Sequence, residues 1–254
     1  MLRRKNRQDS EEINMNIQNK IAIVTGASSG IGKATAELLT KEGAKVALVA
    51  RSKDKLKKLE KELVNSYAIV CDMTKEKEII KMVKKVIKHF GRIDILVNGA
   101  GRGYDAAIEE INIKTFRYII DLDLIGPVIA MQRVITLMRR QGSGSIVNIS
   151  SGTALMCLPN MSGYSSLKRA LVGISLTARE ELKKDNISVS VVYPYITATD
   201  FEKNTIREGK EELWEDDGEG PQQSPDTAEF VAEKIIDGIK KGTGEIYIHE
   251  WMKK

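Results

Sequence analysis

The feature that most constrains the fold is a strict alternation of two kinds of segment from Lys20 onward. Short runs rich in β-branched residues are typical of buried parallel strands, and the segments between them carry apolar residues at helical spacing. This alternation predicts an α/β protein in which helices flank one doubly wound, seven-stranded parallel sheet. The predicted strands are 21–25, 45–50, 67–72, 93–98, 145–150, 188–193 and 245–249, and the main helices are 33–42, 51–63, 75–89, 115–139, 162–183 and 226–240.

Two stretches fall outside this alternation. Residues 1–17 are polar and are expected to form a flexible N-terminal extension, with Met15 as an alternative start. Residues 18–254 contain no linker rich in Pro, Gly or Ser, which predicts one domain. Residues 197–226 follow the sixth strand, where ligands of open α/β sheets bind, so we expect a substrate lid there. A surface loop without a role is the alternative.

Composition excludes several classes of function. The chain has 40 basic and 35 acidic residues, but its lysines alternate with acids along helical faces and aromatic residues are only 5%. This pattern indicates solvated helices rather than a nucleic-acid surface. No apolar run approaches the ~20 residues of a membrane span. Two cysteines and the lack of a secretory h-region favour a cytoplasmic location, and His89 and His249 have no metal-ligand spacing.

A glycine-rich turn follows the first predicted strand. In "TGASSGIG", Gly26, Gly30 and Gly32 would let the backbone turn tightly and bring its N–H groups against a diphosphate at a helix N-terminus. A tight turn without a ligand has the same composition. Its position at the start of a βαβ pattern favours a dinucleotide site.

The end of the second strand indicates which dinucleotide. Sites for NAD usually carry an acid there, which binds the ribose 2′-hydroxyl. Here the strand ends with Ala50, followed by Arg51 and Ser52. A guanidinium suits a 2′-phosphate in geometry and charge, so the sequence favours NADP(H).

Taken together, the motifs resemble the short-chain dehydrogenase/reductase family and its Rossmann fold. "TGASSGIG", "CDM", "VNGAG", "NISSGT", "GYSSLKRA" and "YPYITAT" occur in the family's order between about Lys20 and His249. Ser29 differs from the basic residue that many NADP-preferring relatives have there. The resemblance implies these cofactor contacts: Gly26, Ser28, Ser29, Gly30, Ile31, Gly32, Arg51, Ser52, Asp72, Met73, Asn98, Gly99, Tyr164, Lys168, Pro194, Thr197 and Thr199.

The same resemblance gives a role to a tyrosine and a lysine four residues apart. The spacing alone also fits a half-buried tyrosine and a solvated lysine. The resemblance implies that Tyr164 is the general acid or base, that Lys168 lowers its pKa, and that Ser151 orients the substrate carbonyl. A free tyrosine has a pKa of about 10, so this activation matters at neutral pH.

Three departures from the family pattern bear on function. Asp123 stands where the family has a catalytic Asn. It could keep that residue's role in the proton relay and strengthen the ammonium form of Lys168. Alternatively, it is a replacement without effect on activity, or it marks a protein that has lost catalysis. Tyr195 replaces the Gly after Pro194, which predicts a ring in the substrate pocket. The family's Gly-Gly tail is absent, which favours a homodimer through helices 115–139 and 162–183 over a tetramer.

The sequence therefore predicts an NADP(H)-dependent oxidoreductase that acts on a small carbonyl compound or secondary alcohol, with Ser151, Tyr164, Lys168 and Asp123 as catalytic residues. The alternative is a catalytically silent NADP(H)-binding regulatory protein. Substrate contacts are expected from Ser151, Tyr164, Tyr195, residues 157–162 and the lid 197–226. The acids of the lid favour neutral or cationic substrates.

Overall fold

The computed structural model describes residues 15–209 and 224–253. The strands are β1 Ile21–Thr25, β2 Lys45–Ala50, β3 Ser66–Val70, β4 Ile95–Asn98, β5 Tyr104–Asp105, β6 Gly144–Ile149, β7 Ile187–Tyr193, β8 Ile206–Arg207 and β9 Glu245–Tyr247. Seven of them form a parallel sheet in the order β3-β2-β1-β4-β6-β7-β9, and β5 and β8 form a separate parallel pair. Because the order reverses between β1 and β4, a crevice opens there beyond the carboxyl ends of the strands.

Helices cover both faces of the sheet, because each has one apolar stripe to bury. They are α1 Gly30–Lys41, α2 Lys53–Glu62, α3 Glu76–Phe90, α4 Ile113–Ile120, α5 Gly126–Gln141, α6 Ser162–Leu182 and α7 Ala228–Lys241. One core cluster joins the sheet to α1, α2 and α7, and a second joins it to α3, α5 and α6. The predicted α/β class and seven-stranded sheet are confirmed.

The predicted helix 115–139 is interrupted. A π-helical turn, Asp121–Ile125, joins α4 to α5 and adds a residue to one turn. A Cβ at Gly126 would overlap the backbone oxygen of Met73, so α5 can begin at this close approach only with glycine. The turn directs the side chain of Asp123 into the protein, where it is 0% exposed.

The packed domain begins before residue 18. Met15 and Ile17 are buried in the core, and Met15 N donates a hydrogen bond to Lys240 O at 2.9 Å. Residues 15–17, which the sequence assigned to the flexible extension, therefore pack against the domain. The rest of that extension, residues 1–14, lies outside the described residues.

The two ends of the predicted lid are bridged to each other, and a short strand within the lid pairs with the rest of the domain. Thr197 and Asp226 form a parallel bridge at its base, and β8 pairs with β5 in the loop after β4. The sequence did not predict the β5–β8 pair, because two-residue strands have no periodicity to detect. Residues 210–223, including Leu213 and Trp214, lie outside the described residues.

Within the described ranges, every helix is too short or too polar to cross a membrane. In those same ranges, His, Cys, Asp and Glu side chains do not gather in threes as a metal site would require.

Candidate active site

The turn after β1 is built around glycine backbone. Gly26 has φ +73°, in the left-handed region, and a Cβ there would lie 2.5 Å from Gly99 O. A Cβ at Gly32 would come equally close to Gly26 O. The turn after β4 is held against the turn after β1, since Thr25 Oγ1 accepts hydrogen bonds from the backbone N–H groups of Gly99 and Ala100. The first turn of α1 thus faces the crevice, and its glycines have no side chains that would block access to the backbone N–H groups.

Replacing Gly26 with Ala is expected to lower the free energy of unfolding and to weaken dinucleotide binding. Gly91 provides a matched control, because it has φ +82° but nothing within 4 Å of the place where a Cβ would lie. Gly91→Ala should cost about 1–2 kcal/mol for left-handed backbone alone, and Gly26→Ala more, because it adds a clash with backbone. Urea unfolding and cofactor titration measure both; equal losses for the two variants would contradict this account.

A cavity of about 970 Å³ runs from this turn across the carboxyl ends of the strands. Its size suits a dinucleotide together with a small substrate. Most of the residues that the sequence singled out line it. They are Gly26, Ser28, Ser29, Gly30, Ile31, Gly32, Arg51, Ser52, Met73, Gly99, Ser151, Tyr164, Lys168, Pro194, Tyr195, Thr197 and Thr199.

Three expected site residues do not line the cavity. Asp72 Oδ1 instead accepts hydrogen bonds from the backbone and hydroxyl of Thr74 and so orders the loop after β3. Asn98 is buried at the end of β4, and its Nδ2 donates to Asn148 Oδ1 at 2.8 Å. Asp123 lies behind Lys168. A motif fixes a residue's place along the chain, but the tertiary contacts decide where its side chain points.

The residue that follows β2 carries a positive charge at the edge of the cavity. Arg51 is exposed and lines the cavity, and its Nη1 donates to the hydroxyl of Tyr118 at 2.8 Å. Lys55, on the first turn of α2, lines the same end. The hydroxyl of Ser52 at the α2 N-cap makes no capping hydrogen bond. These side chains could together hold a phosphate dianion.

The catalytic candidates meet at the carboxyl end of β6. Tyr164 and Lys168 lie on one face of α6, and Lys168 Nζ is 5.5 Å from the centroid of the Tyr164 ring. Ser151 hydrogen bonds to Tyr164, and Ser151 Oγ itself accepts from Thr153 N and Oγ1. Because Ser151 Oγ already accepts two hydrogen bonds, it uses its own proton in the hydrogen bond to the Tyr164 oxygen, and that proton could turn to a substrate oxygen bound between the two.

Lys168 is held by a buried counter-ion. Its Nζ lies 2.9 Å from Asp123 Oδ2, and its side chain is 5% exposed. The backbone N–H of Arg102 donates to Asp123 Oδ1 at 3.1 Å, and Lys168 Nζ donates to Ile149 O at 3.2 Å. A Cβ at Gly101 would lie 2.9 Å from Asp123 Oδ2, so glycine leaves room for the pair.

Burial and these contacts shift the pKa values of the candidate catalytic groups. Burial raises the pKa of Tyr164; Lys168 opposes that rise and Asp123 adds to it. The sequence predicted that Lys168 lowers the pKa of Tyr164; Lys168 acts in that direction, but in the protein without cofactor burial outweighs it. Burial by itself would lower the pKa of Lys168, but the Asp123 carboxylate and Tyr164 raise it overall. Burial raises the pKa of Asp123, against the pull of Lys168.

Sequence reasoning identified Gly99 at the start of the loop after β4 but missed the later residues of that loop, which also line the cavity. Arg102 and Asp105 from this loop line the cavity beside Arg207 of β8. Arg207 Nε lies 3.6 Å from Asp105 Oδ2. Their position just after the carboxyl end of a central strand was the available signal, since ligands bind there in open α/β sheets.

The fold and cavity define a doubly wound α/β protein with a dinucleotide-type site at its switch point. The family model described as short chain dehydrogenase matches residues 20–210. The chain therefore belongs to the short-chain dehydrogenase family, a family of oxidoreductases, as its motifs predicted.

Known proteins agree with this assignment. A 3-oxoacyl-(acyl-carrier-protein) reductase of Staphylococcus epidermidis is 35% identical over 202 residues, 78% of this chain and 83% of that protein. The structure of a short-chain dehydrogenase from Streptomyces avermitilis superposes with a TM-score of 0.85 at 30% identity, covering 92% of this chain and 90% of that one. A 3-ketoacyl-(acyl-carrier-protein) reductase from Brucella melitensis, complexed with NADH, has a TM-score of 0.81 at 22% identity, covering 91% and 98%, and supports the fold alone.

Proposed function

We propose that the protein is an NADP(H)-dependent oxidoreductase that interconverts a carbonyl compound and a secondary alcohol. The observation that carries this proposal is the group of Ser151, Tyr164 and Lys168 in the cavity that also contains the glycine turn. A nicotinamide cofactor would be held by that turn, by the N-terminus of α1 and by residues after β7. When bound, it supplies or accepts the hydride.

In the direction of reduction, the hydroxyl of Tyr164 donates its proton to the carbonyl oxygen as the carbonyl carbon receives hydride. Ser151 donates a hydrogen bond to the same oxygen and stabilises the negative charge that develops there. Lys168 stabilises the tyrosinate that is left. Asp123 holds Lys168 in its ammonium form and in place. A proton from solvent then restores Tyr164, so the carbonyl has gained one hydride and one proton.

The preference for NADP(H) rests on charge at the end of β2. Arg51 lines the cavity there with Lys55 close by in sequence, and Ala50 stands where NAD sites usually carry an acid. The phosphate of NADP(H) would gain charge-assisted hydrogen bonds that NAD(H) lacks. The Brucella relative binds NADH, but at 22% identity it does not determine the preference of this chain.

Titration of the purified protein with NADPH and NADH tests the proposed cofactor preference, and it requires no knowledge of the substrate. We expect NADPH to bind more tightly, and Arg51→Ala to weaken NADPH binding about ten- to a hundredfold with little effect on NADH, since a hydrogen bond to a charged group contributes about 1.5–3 kcal/mol. Lys81→Ala, which removes an exposed cation from α3, is the control. Equal affinities for both cofactors in the wild type would overturn the NADP(H) preference.

The second candidate is an NADP(H)-binding regulatory protein without turnover. The observation that favours it is the Asp123–Lys168 pair, because a carboxylate beside the lysine makes tyrosinate harder to form. We favour the enzyme, because Ser151, Tyr164 and Lys168 all line the cavity, with Ser151 hydrogen bonded to Tyr164 and the Lys168 ammonium 5.5 Å from the centroid of the Tyr164 ring. Turnover by the wild type separates the two.

A further inference from the structure

The end of the cavity beyond Ser151 and Tyr164 has an apolar wall that the hydride-transfer proposal does not use. The wall combines side chains from the loop after β6, from the start of α6 and from the segment after β7. Leu158, Ile196 and Phe201 are 42%, 46% and 41% exposed. Its members are Met156, Leu158, Met161, Ile196 and Phe201.

This apolar wall is held in place. The ring of Phe201 lies 6.0 Å from that of Tyr164, centroid to centroid. The backbone N–H of Phe201 donates to Thr199 Oγ1 at 3.2 Å, and its carbonyl accepts from Thr205 Oγ1 at 3.1 Å. The β5–β8 pair fastens the following residues to the loop after β4. The backbone of Phe201 is thus held so that its ring lies beside the ring of Tyr164.

The charges at this end offer little to an anion. Arg207 lies between two carboxylates, 3.6 Å from Asp105 and 3.5 Å from Glu202. The Nε of Arg102 donates to the backbone oxygen of Asn204. Within the described part of the chain, this end is lined by two arginines, Arg102 and Arg207, against three acids, Asp105, Asp200 and Glu202. A carboxylate or phosphate on the substrate would find no excess of positive charge.

We propose that the substrate is an uncharged ketone or aldehyde with a bulky apolar group next to its carbonyl, and that the apolar wall binds this group. The inference rests on the proposed function and names its substrate class. With the carbonyl oxygen at Tyr164 and Ser151, the neighbouring substituent would be within reach of the Phe201 ring, which lies 6.0 Å from that of Tyr164. Exposed apolar side chains that line the same cavity as Tyr164 favour a ligand over chance, because isolated exposed ones such as Val64 are ordinary.

The test compares three carbonyl compounds with NADPH as reductant: butan-2-one, 1-phenylpropan-1-one and 2-oxo-2-phenylacetate. We expect kcat/KM to be at least about tenfold higher for 1-phenylpropan-1-one than for butan-2-one, since a few methylenes in an apolar pocket are worth that much. Of the two aromatic compounds, the anionic 2-oxo-2-phenylacetate should have the lower kcat/KM. Phe201→Ala should reduce the preference for the aromatic ketone about tenfold, mainly through KM. Val64→Ala, which truncates an exposed apolar residue far from the cavity, should not.

A second measurement keeps this inference separate from the proposed function. Binding of 1-phenylpropan-1-one to the complex of the Tyr164→Phe variant with NADP is followed by calorimetry, without turnover. Binding that weakens in the added Phe201→Ala or Leu158→Ala variant supports the apolar site even if the wild type has no activity. Turnover without preference for the apolar ketone, or binding indifferent to both substitutions, overturns the inference and leaves these side chains a packing role only.

Discussion

Tyr164→Phe is expected to lower kcat for carbonyl reduction about 10²–10⁴-fold, the usual contribution of a positioned general acid. The substitution removes only the hydroxyl that, in the proposed mechanism, donates the proton. The ring is 5% exposed and packs with Leu167 and Tyr104, and those contacts are retained. Folding and NADPH affinity should therefore be nearly unchanged. Steady-state reduction of a ketone, with NADPH titration alongside, measures both.

Tyr67→Phe is the matched control, because it removes a tyrosine hydroxyl from β3 while the ring keeps its stacking on His89. It should leave turnover as in the wild type. If Tyr164→Phe also turns over at the wild-type rate, Tyr164 is not the general acid. If the wild type binds NADPH but reduces no ketone or aldehyde, the regulatory alternative is favoured instead.

Asp123→Leu is expected to lower the free energy of unfolding by about 3–5 kcal/mol, the usual cost of leaving one partner of a buried ion pair alone. Lys168 would then have an ammonium group 5% exposed with no carboxylate beside it. The double variant Asp123→Leu/Lys168→Met should recover much of the loss, because neither charge remains. Urea unfolding of the wild type, both single variants and the double variant measures the coupling. Additive losses would contradict a tight pair.

Asp123→Asn separates charge from shape at the same position. Burial, with Asp123 adding to it, raises the pKa of Tyr164. Removing the carboxylate takes away one cause of that rise, so tyrosinate should form at lower pH. Alcohol oxidation needs tyrosinate and should begin to rise at lower pH, while carbonyl reduction needs the protonated hydroxyl and should begin to fall at lower pH. Unchanged pH profiles in both directions would reduce Asp123 to a structural role.

The sequence by itself determined the architecture, because the local periodicity of apolar residues specifies which segments form strands and which form helices. Apolar β-branched runs alternating with amphipathic segments can bury their surfaces as a parallel sheet covered by helices on both faces. The glycines of the first turn were also readable, since left-handed backbone and close backbone contacts need residues without a Cβ. Helical geometry alone placed Tyr164 and Lys168 on one face of α6.

Tertiary structure decided what depends on contacts between distant segments. A π-helical turn between α4 and α5 directs Asp123 onto Lys168, and periodicity does not specify that extra residue. The net rise in the pKa of Tyr164 follows from burial, which a motif does not contain. The apolar wall that includes Phe201 is assembled from three segments that meet only in the folded chain. Local sequence thus determined which elements form, whereas long-range packing determined which side chains meet and which charges lose their water.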